Sequence, residues 1–380
     1  MTSASTLLNA YVEVNVLLVL AALAAWALTA GLRRAGLAHT VTAQLRLNRA
    51  LLVAVLASPV AVALTGLLGE SRWNPANTVN LTDFMVSQYL QGRVTMNAAA
   101  FESVVTLRSQ LSQTAFTGLG AALLAALALG VGAALCRLVW GAWALHRVLQ
   151  HSHLWRRVGR VELRVSDRVA VPFSTRTFRR RVIVIPSALL EREGDLRIAL
   201  GHELQHLREG DVEWEVLICL LTPLFVWNPA FRLWKRWIEE LRELSCDARV
   251  LARRHFDLRS YCDCLIRVCH DGLERRRLLS LNLPGVALVR AERGLFGATA
   301  ATLLRQRMLS ILEARRERHP TALFAGLAAP LVGLTLLAAL SIRPPADWSQ
   351  DRLMLSTIIN LERLEAINGR EAAAFGVRSW

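Results

Sequence analysis

Charge-free runs constrain this chain more than any other feature. Residues 14–32, 50–69 and 320–342 carry no charged side chain, and 119–143 carries only Arg137. A helix needs about 20 such residues to cross a hydrocarbon core. Within lipid the backbone must close its own hydrogen bonds, so each run is expected to be a helix. The chain is 53% hydrophobic with a mean hydropathy of +0.34, which is high for a soluble protein. The expectation is a multi-pass α-helical membrane protein of four spans, with the lipid bilayer as its first partner. Net charge is +15, and Lys235 is the only lysine, so nearly every cation is an arginine. No basic run is interleaved with aromatics as a nucleic-acid surface would be, and no direct nucleic-acid contact is expected. The positive charge fits loops on the inner side of a membrane. Six cysteines without a C-x-x-C pair fit reduced thiols.

The flanks of each run set its direction. Residues 1–13 hold only Glu13, whereas Arg33 and Arg34 follow the first apolar core. A cleaved signal peptide has the opposite polarity, so the first run is expected to be a retained span with its N-terminus outside. Arg33, Arg34, Arg46 and Arg49, with no acid among them, mark 33–49 as a short cytoplasmic loop. The polar stretch 70–118 is expected on the outer side. Arg137, Trp140, Trp143, His146 and Arg147 anchor the third span at the inner interface. Residues 1–146 thus form a membrane domain with spans at about 14–32, 50–69 and 119–143. One soluble domain, 147–319, faces the cytoplasm, 320–342 is the fourth span, and 343–380 is a short extracytoplasmic tail. Its Leu355, Ile358, Leu361, Leu364 and Ile367 suit an amphipathic helix for a partner or the membrane surface.

Inside 147–319, V-E-L-R-V (161–165) and R-V-I-V-I-P (181–186) read as strands, with 169–178 as an extended edge between them. Helical patterning begins near Ser187 and Asp195, so the domain is α+β. It leads into His202-Glu203-Leu204-Gln205-His206. Two histidines four apart share one helix face, and one tetrahedral zinc can take both. Glu203, about 100° round the helix, can reach a water at that metal as general base. A third ligand is needed. Glu243 and Asp247 are also four apart: Glu243 would be the ligand, and Asp247 would accept the distal N–H of a histidine. The plain alternative is a solvated acidic face matched to Arg242 and Arg249. Asp211 is either a second such acceptor or a turn residue after Gly210. Cys246 reads as a small buried residue pointing away from the site, and Cys262, Cys264, Cys269 and His270 as helix packing. The apolar stretch 216–231 is short and broken by Pro223, Asn228 and Pro229. A crossing there would part Glu243 from the histidines, so it is expected to pack on the domain or dip into the membrane face. W-N-P-A-F-R-L-W-K-R-W (227–237) then supplies tryptophans for the lipid interface or the core.

H-E-L-Q-H-L-R-E-G-D (202–211), W-N-P-A-F-R-L-W (227–234) and R-E-L-S-C-D-A (242–248) resemble the BlaR/MecR-type integral-membrane zinc metallopeptidases. Pro172-Phe173, V-I-V-I-P (182–186) and Leu295-Phe296-Gly297 before R-Q-R-M-L-S-I-L add to the resemblance, which covers residues 10–342. It implies a gluzincin-like fold with one zinc on His202, His206 and Glu243, and Glu203 as base. A peptide substrate would add to the strand edge near 169–178. It implies a bacterial inner-membrane protein with both termini outside and the active site on the cytoplasmic side. The substrate class it implies is a cytosolic regulatory protein, a transcriptional repressor above all, or the chain itself; the Arg-rich, Gly-flanked stretch Arg290–Arg293 is a candidate self-cleavage point, and a homo-oligomer is also a candidate. Antibiotic-sensing members carry a penicillin-binding domain with a Ser-x-x-Lys nucleophile after the last span. Here 38 residues follow residue 342, and Arg232 stands three before the only lysine, so no covalent β-lactam binding is expected. Two other readings share the motif. One is a membrane quality-control peptidase of the HtpX or CAAX-prenyl type, against which Cys246 and the W-N-P run weigh. The other is a non-catalytic signalling scaffold with a structural zinc.

Overall fold

A computed structural model of the chain describes residues 3–37, 39–67, 86, 88–91, 93, 118–177, 180–253, 256–275, 286–287, 300–312, 320–341, 357, 360 and 361. Almost all of 70–118 and 343–380, together with Arg290–Arg293 and Phe296-Gly297, lies outside these residues. Among the described residues four helices are long and apolar enough to cross a membrane: α1 (Ser3–Arg34), α2 (Val41–Leu67), α3 (Gly118–Gln150) and α9 (Pro320–Ser341). Leu23, Trp26, Val60, Leu123, Leu129 and Leu334 stand exposed along them. In water that surface would be costly; against lipid tails it is not. Helix α2 begins well before the charge-free run. Arg46 and Arg49, expected in a loop, therefore lie on its first turns.

The chain divides into two compact units. One gathers the described residues of Met1–Ala21, Leu51–Ala126 and Ala329–Trp380; the other gathers those of Ala22–Ala50 and Leu127–Ala328. The second holds a mixed five-stranded sheet ordered β1-β2-β4-β3-β5. Its strands are β1 (His153–Val158), β2 (Val161–Ser166), β3 (Phe173–Arg176), β4 (Arg181–Pro186) and the two-residue β5 (Val286–Ala287). Strands β2 and β4 run parallel, whereas β1 joins β2, and β3 joins β4, in antiparallel fashion. Strand β4 is central, and its unbroken β-branched run has the look of a strand buried on both faces. Ile183 and Ile185 enter one core with Leu196, Ala199, Leu207 and Tyr261, while Val182 and Val184 meet Phe173, Val169 and Val148 on the other face. Strand β1 is an exposed, arginine-bearing edge whose sequence shows no buried alternation.

Among the described residues the second unit also holds α4 (Glu193–Glu209), α5 (Asp211–Leu221), α6 (Pro229–Ala252) and α7 (Leu258–Arg275). Helix α8 (Ala300–Leu312) follows β5. Helix α4 packs between the sheet and α6 and α7. The apolar stretch 216–231 is not one helix. It ends α5, turns through Thr222–Trp227 and starts α6 at Pro229, where the Asn228 side chain accepts the Ala230 N–H at 3.0 Å. Proline at the first helical position removes an N–H that would have no partner, and the Asn cap satisfies the next.

Candidate metal centre

Two helices carry the site. Helix α4 buries Ile198, Ala199 and Leu207 in the core, and the same wheel turns His202, Glu203 and His206 fully inward. Gly210 ends this helix at φ 70°, ψ 23°, a left-handed geometry that glycine adopts without Cβ strain, and its N–H returns to the His206 carbonyl. Helix α5 restarts at the very next residue. That break places Asp211, buried and not a solvent turn, with Oδ2 2.6 Å from His206 Nδ1.

Helix α6 brings the second half. Glu243 Oε2 lies 3.5 Å from His202 Nε2, and Glu243 Oε1 lies 3.7 Å from His206 Nε2. The two Nε2 atoms are 3.0 Å apart. What each nitrogen must be follows from its partners. A carboxylate only accepts, so His206 Nδ1 donates to Asp211. Tyr261 O–H donates to Asp247 Oδ1 at 2.6 Å, which leaves its oxygen to accept from His202 Nδ1 at 2.9 Å. Both protons thus sit on Nδ1, and both Nε2 lone pairs converge beside an anionic carboxylate. Such a cluster of acceptors repels itself unless a cation or a proton sits at its focus. A tetrahedron with Zn–N of about 2.0–2.1 Å has edges of about 3.3–3.4 Å, so separations of 3.0, 3.5 and 3.7 Å fit that donor set.

The electrostatics agree with a site built for positive charge. Burial disfavours the imidazolium of His206, yet the field of Cys246 and Glu243 and the Asp211 hydrogen bond outweigh it and lift the pKa to about 10. Burial pushes Glu243 up, but His206, His202 and Arg307 pull it down to about 2. Asp247 is held well below the usual carboxylate range because Arg307 overcomes its burial. Glu203 moves the other way: burial raises its carboxyl, and His206 and His202 only partly pull it back. Neither of its oxygens has a hydrogen-bond partner among the described residues. A buried carboxylate with only the Ser174 hydroxyl close enough to ease its charge is costly in a purely structural site, and beside the converging nitrogens it is placed to take a proton.

Two differences from the sequence expectations stand out. Asp247 does not take the histidine proton directly: its Oδ1 is 3.4 Å from His202 Nδ1, and the Tyr261 hydroxyl relays between them. Cys246 does not point away either. Its Sγ lies 3.6 Å from His202 Nδ1, and His202, His206 and Cys246 have donor atoms within 4.8 Å of one another. The 3.6 Å contact is with the ring nitrogen that Tyr261 also engages, and the sulfur is close enough to His206 to favour that imidazolium.

Three residues of the site escaped sequence reading altogether. Tyr261, on α7, is the relay just described. Arg307, on α8, donates through Nε and Nη2 to both oxygens of Asp247 at 2.7 Å, and its Nη1 lies 3.4 Å from Glu243 Oε2. Arg49, on α2, donates to Asp211 Oδ1 at 2.5 Å. The signal for Arg307 lay only in R-Q-R-M-L-S-I-L, which reads as an amphipathic helix feeding the fourth span and gives no reason to bring an arginine to the site. For Arg49 it was an arginine at the start of an apolar helix, which lipid tolerates only when paired.

The family model for the BlaR1 peptidase, M56, matches residues 10–277. The chain belongs to the BlaR1 peptidase M56 family. The match covers the first three apolar helices, the sheet as far as β4, both histidines, Glu203, Glu243 and Asp247. No curated protein matches the chain. Membership in M56 makes this a membrane-associated metallopeptidase, and the four apolar helices agree with that.

The edge expected to receive a peptide substrate has an occupant. Strand β3 pairs on its free side with β5, antiparallel, with Phe173 opposite Ala287 and Ser174 opposite Val286. A segment of the chain itself lies where an added strand would bind, and it packs against α4 and α5.

Proposed function

We propose that the protein is a membrane-anchored zinc endopeptidase that hydrolyses a cytosolic regulatory protein, a transcriptional repressor above all. The single observation behind this reading is the convergence of His202 Nε2, His206 Nε2 and the Glu243 carboxylate, with Glu203 buried beside them and unpaired. His202, His206 and Glu243 would hold one zinc. When bound, zinc would polarise the scissile carbonyl and make water a nucleophile near neutral pH. Glu203 takes a proton from the attacking water and hands it to the departing amine; its raised pKa suits a group that must do both. Asp211 and Tyr261 keep the Nδ1 protons in place, so the Nε2 lone pairs stay turned inward. Strand β3 would hold the substrate backbone as an added antiparallel strand. Its pairing with Val286–Ala287 supports the chain as its own substrate too, with Arg290–Arg293 three residues beyond.

The arginine-rich flanks of the apolar helices support a site on the cytoplasmic side of the bacterial inner membrane, with both termini outside. Replacing Glu203 with alanine tests the reading. Zinc content should stay at one per chain, while cleavage of a co-expressed repressor should fall by about 10²–10⁴-fold. Unchanged proteolysis in that variant would leave a structural zinc in a signalling scaffold as the better account.

A second ligand set, His202, His206 and Cys246, is favoured by the closeness of the thiol. Glu243→Ala and Cys246→Ser separate the two. Loss of zinc in the first variant and its retention in the second is the expected pattern.

A further inference from the structure

His206 is backed directly by Asp211, His202 is backed by Asp247 through the Tyr261 hydroxyl, and each carboxylate is clamped by an arginine. Arg307 comes from α8, within the domain. Arg49 comes from α2, a helix long and apolar enough to cross a membrane. It is buried, its Nη2 lies 2.5 Å from Asp211 Oδ1, and its guanidinium lies 5.2 Å from the Trp214 ring centroid. The other oxygen of the same carboxylate, Oδ2, is the one that holds His206 Nδ1 at 2.6 Å. Two further polar contacts dock this part of α2: Asn48 Oδ1 accepts from Trp234 Nε1 at 2.7 Å, and Thr42 Oγ1 lies 3.2 Å from Ser245 Oγ. Ser245 lies between Glu243 and Asp247 on α6.

A carboxylate with two oxygens can orient an imidazole only if its own plane is held. Asp211 starts a helix directly after the left-handed Gly210, so its backbone geometry is set by the break, while its side chain must still be fixed from outside. Arg49 does this through a charge-assisted bond, the stronger class of hydrogen bond. We propose that Arg49 is a positioning residue of the metal centre, holding Asp211 and through it His206, so that the second apolar helix is a structural part of the site. The inference rests on reading His202 and His206 as metal ligands.

The test uses the full-length protein in detergent, with zinc affinity measured by competition against a chelator and the cobalt(II) form followed by its visible ligand-field spectrum. Partners behind a metal-bound histidine are worth about 10–100-fold in metal affinity. Arg49→Ala and Asp211→Asn should each weaken zinc by about that factor and shift the cobalt spectrum. The double variant should be no worse than Asp211→Asn alone, since both act through one path. Should Arg49→Ala fail to accumulate, Arg49→Gln and Arg49→Lys carry the test, with Lys retaining part of the affinity. Arg46→Ala, which removes a cation from the same helix without touching Asp211, should bind zinc as the wild type does. Wild-type affinity and spectrum in the Arg49 variants, additive losses in the double variant, or an equal loss in Arg46→Ala would each overturn the role of Arg49. Failure of the wild type itself to bind zinc would instead overturn the underlying metallopeptidase reading.

Discussion

His202 and His206 owe their chemistry to what stands behind them. With both Nδ1 atoms committed as donors, the Nε2 pair can hold a metal or share one proton, but cannot do both. The sign of the pH dependence follows. The pair binds its proton more tightly than a free imidazole does, with His206 lifted to about 10. Across the neutral range a metal must therefore displace that proton. Zinc affinity is expected to fall by about tenfold per pH unit on acidification, one proton being exchanged per metal. Zinc titrations against a competing chelator at several pH values read this slope, and a flat profile would contradict it. Tyr261→Phe removes the relay between His202 and Asp247. It should weaken zinc by about tenfold or more, at the low end of what such partners contribute, because Arg307 still holds Asp247. At this scale much was legible beforehand. A four-residue spacing on a helix decides which side chains share a face, so the pairs His202/His206 and Glu243/Asp247 follow from the sequence alone. That Cys246 also meets His202 did not follow, because its direction depends on how α6 is rolled against α4.

At the scale of elements, the ends of helices do as much as their faces. Gly210 in the left-handed region closes α4 and lets α5 begin at Asp211. Gly210→Ala should cost about 1 kcal/mol from its positive φ, and should also weaken zinc because Asp211 moves. Thermal unfolding and chelator competition measure the two effects separately. Asn228→Ala loses the cap on α6, a change of about 0.5–2 kcal/mol, read as a lower melting temperature at unchanged metal content in the survivors. Strands 161–165 and 181–186 were readable because β-branched runs of that length rarely do anything else. Strand β1 was not: H-L-W-R-R-V is exposed throughout and has no inward face to give it a period. Nor was β5 readable, since two residues carry no periodic signal and their strand character comes entirely from β3. If β5 occupies a substrate edge, Val286→Pro should free it. A strand proline removes an N–H and fits poorly into a ladder, so cleavage of a substrate supplied separately should rise in that variant.

For the whole molecule, the sheet and its helices rest on an apolar core that includes Ile183, Ile185, Leu196, Tyr261, Leu265 and Val268, none of which needs a metal. Chelation is therefore expected to abolish cleavage while leaving the helical circular dichroism nearly unchanged, and adding zinc back should restore activity. Loss of the helical signal on chelation would mean that the metal holds the fold together. By itself the sequence determined the four apolar helices, the strands and helices between the third and fourth, and the paired histidines and carboxylates that share helix faces. Each of these depends on residues close together in the chain, through period, length or charge. Only the tertiary structure decided that Arg49, Tyr261 and Arg307 belong to the same site. They lie 162, 14 and 60 positions from the carboxylates they hold, and no local pattern links them. Buried carboxylates need donors, and in a folded chain those donors come from whatever element packing brings alongside, here including a helix otherwise suited to lipid.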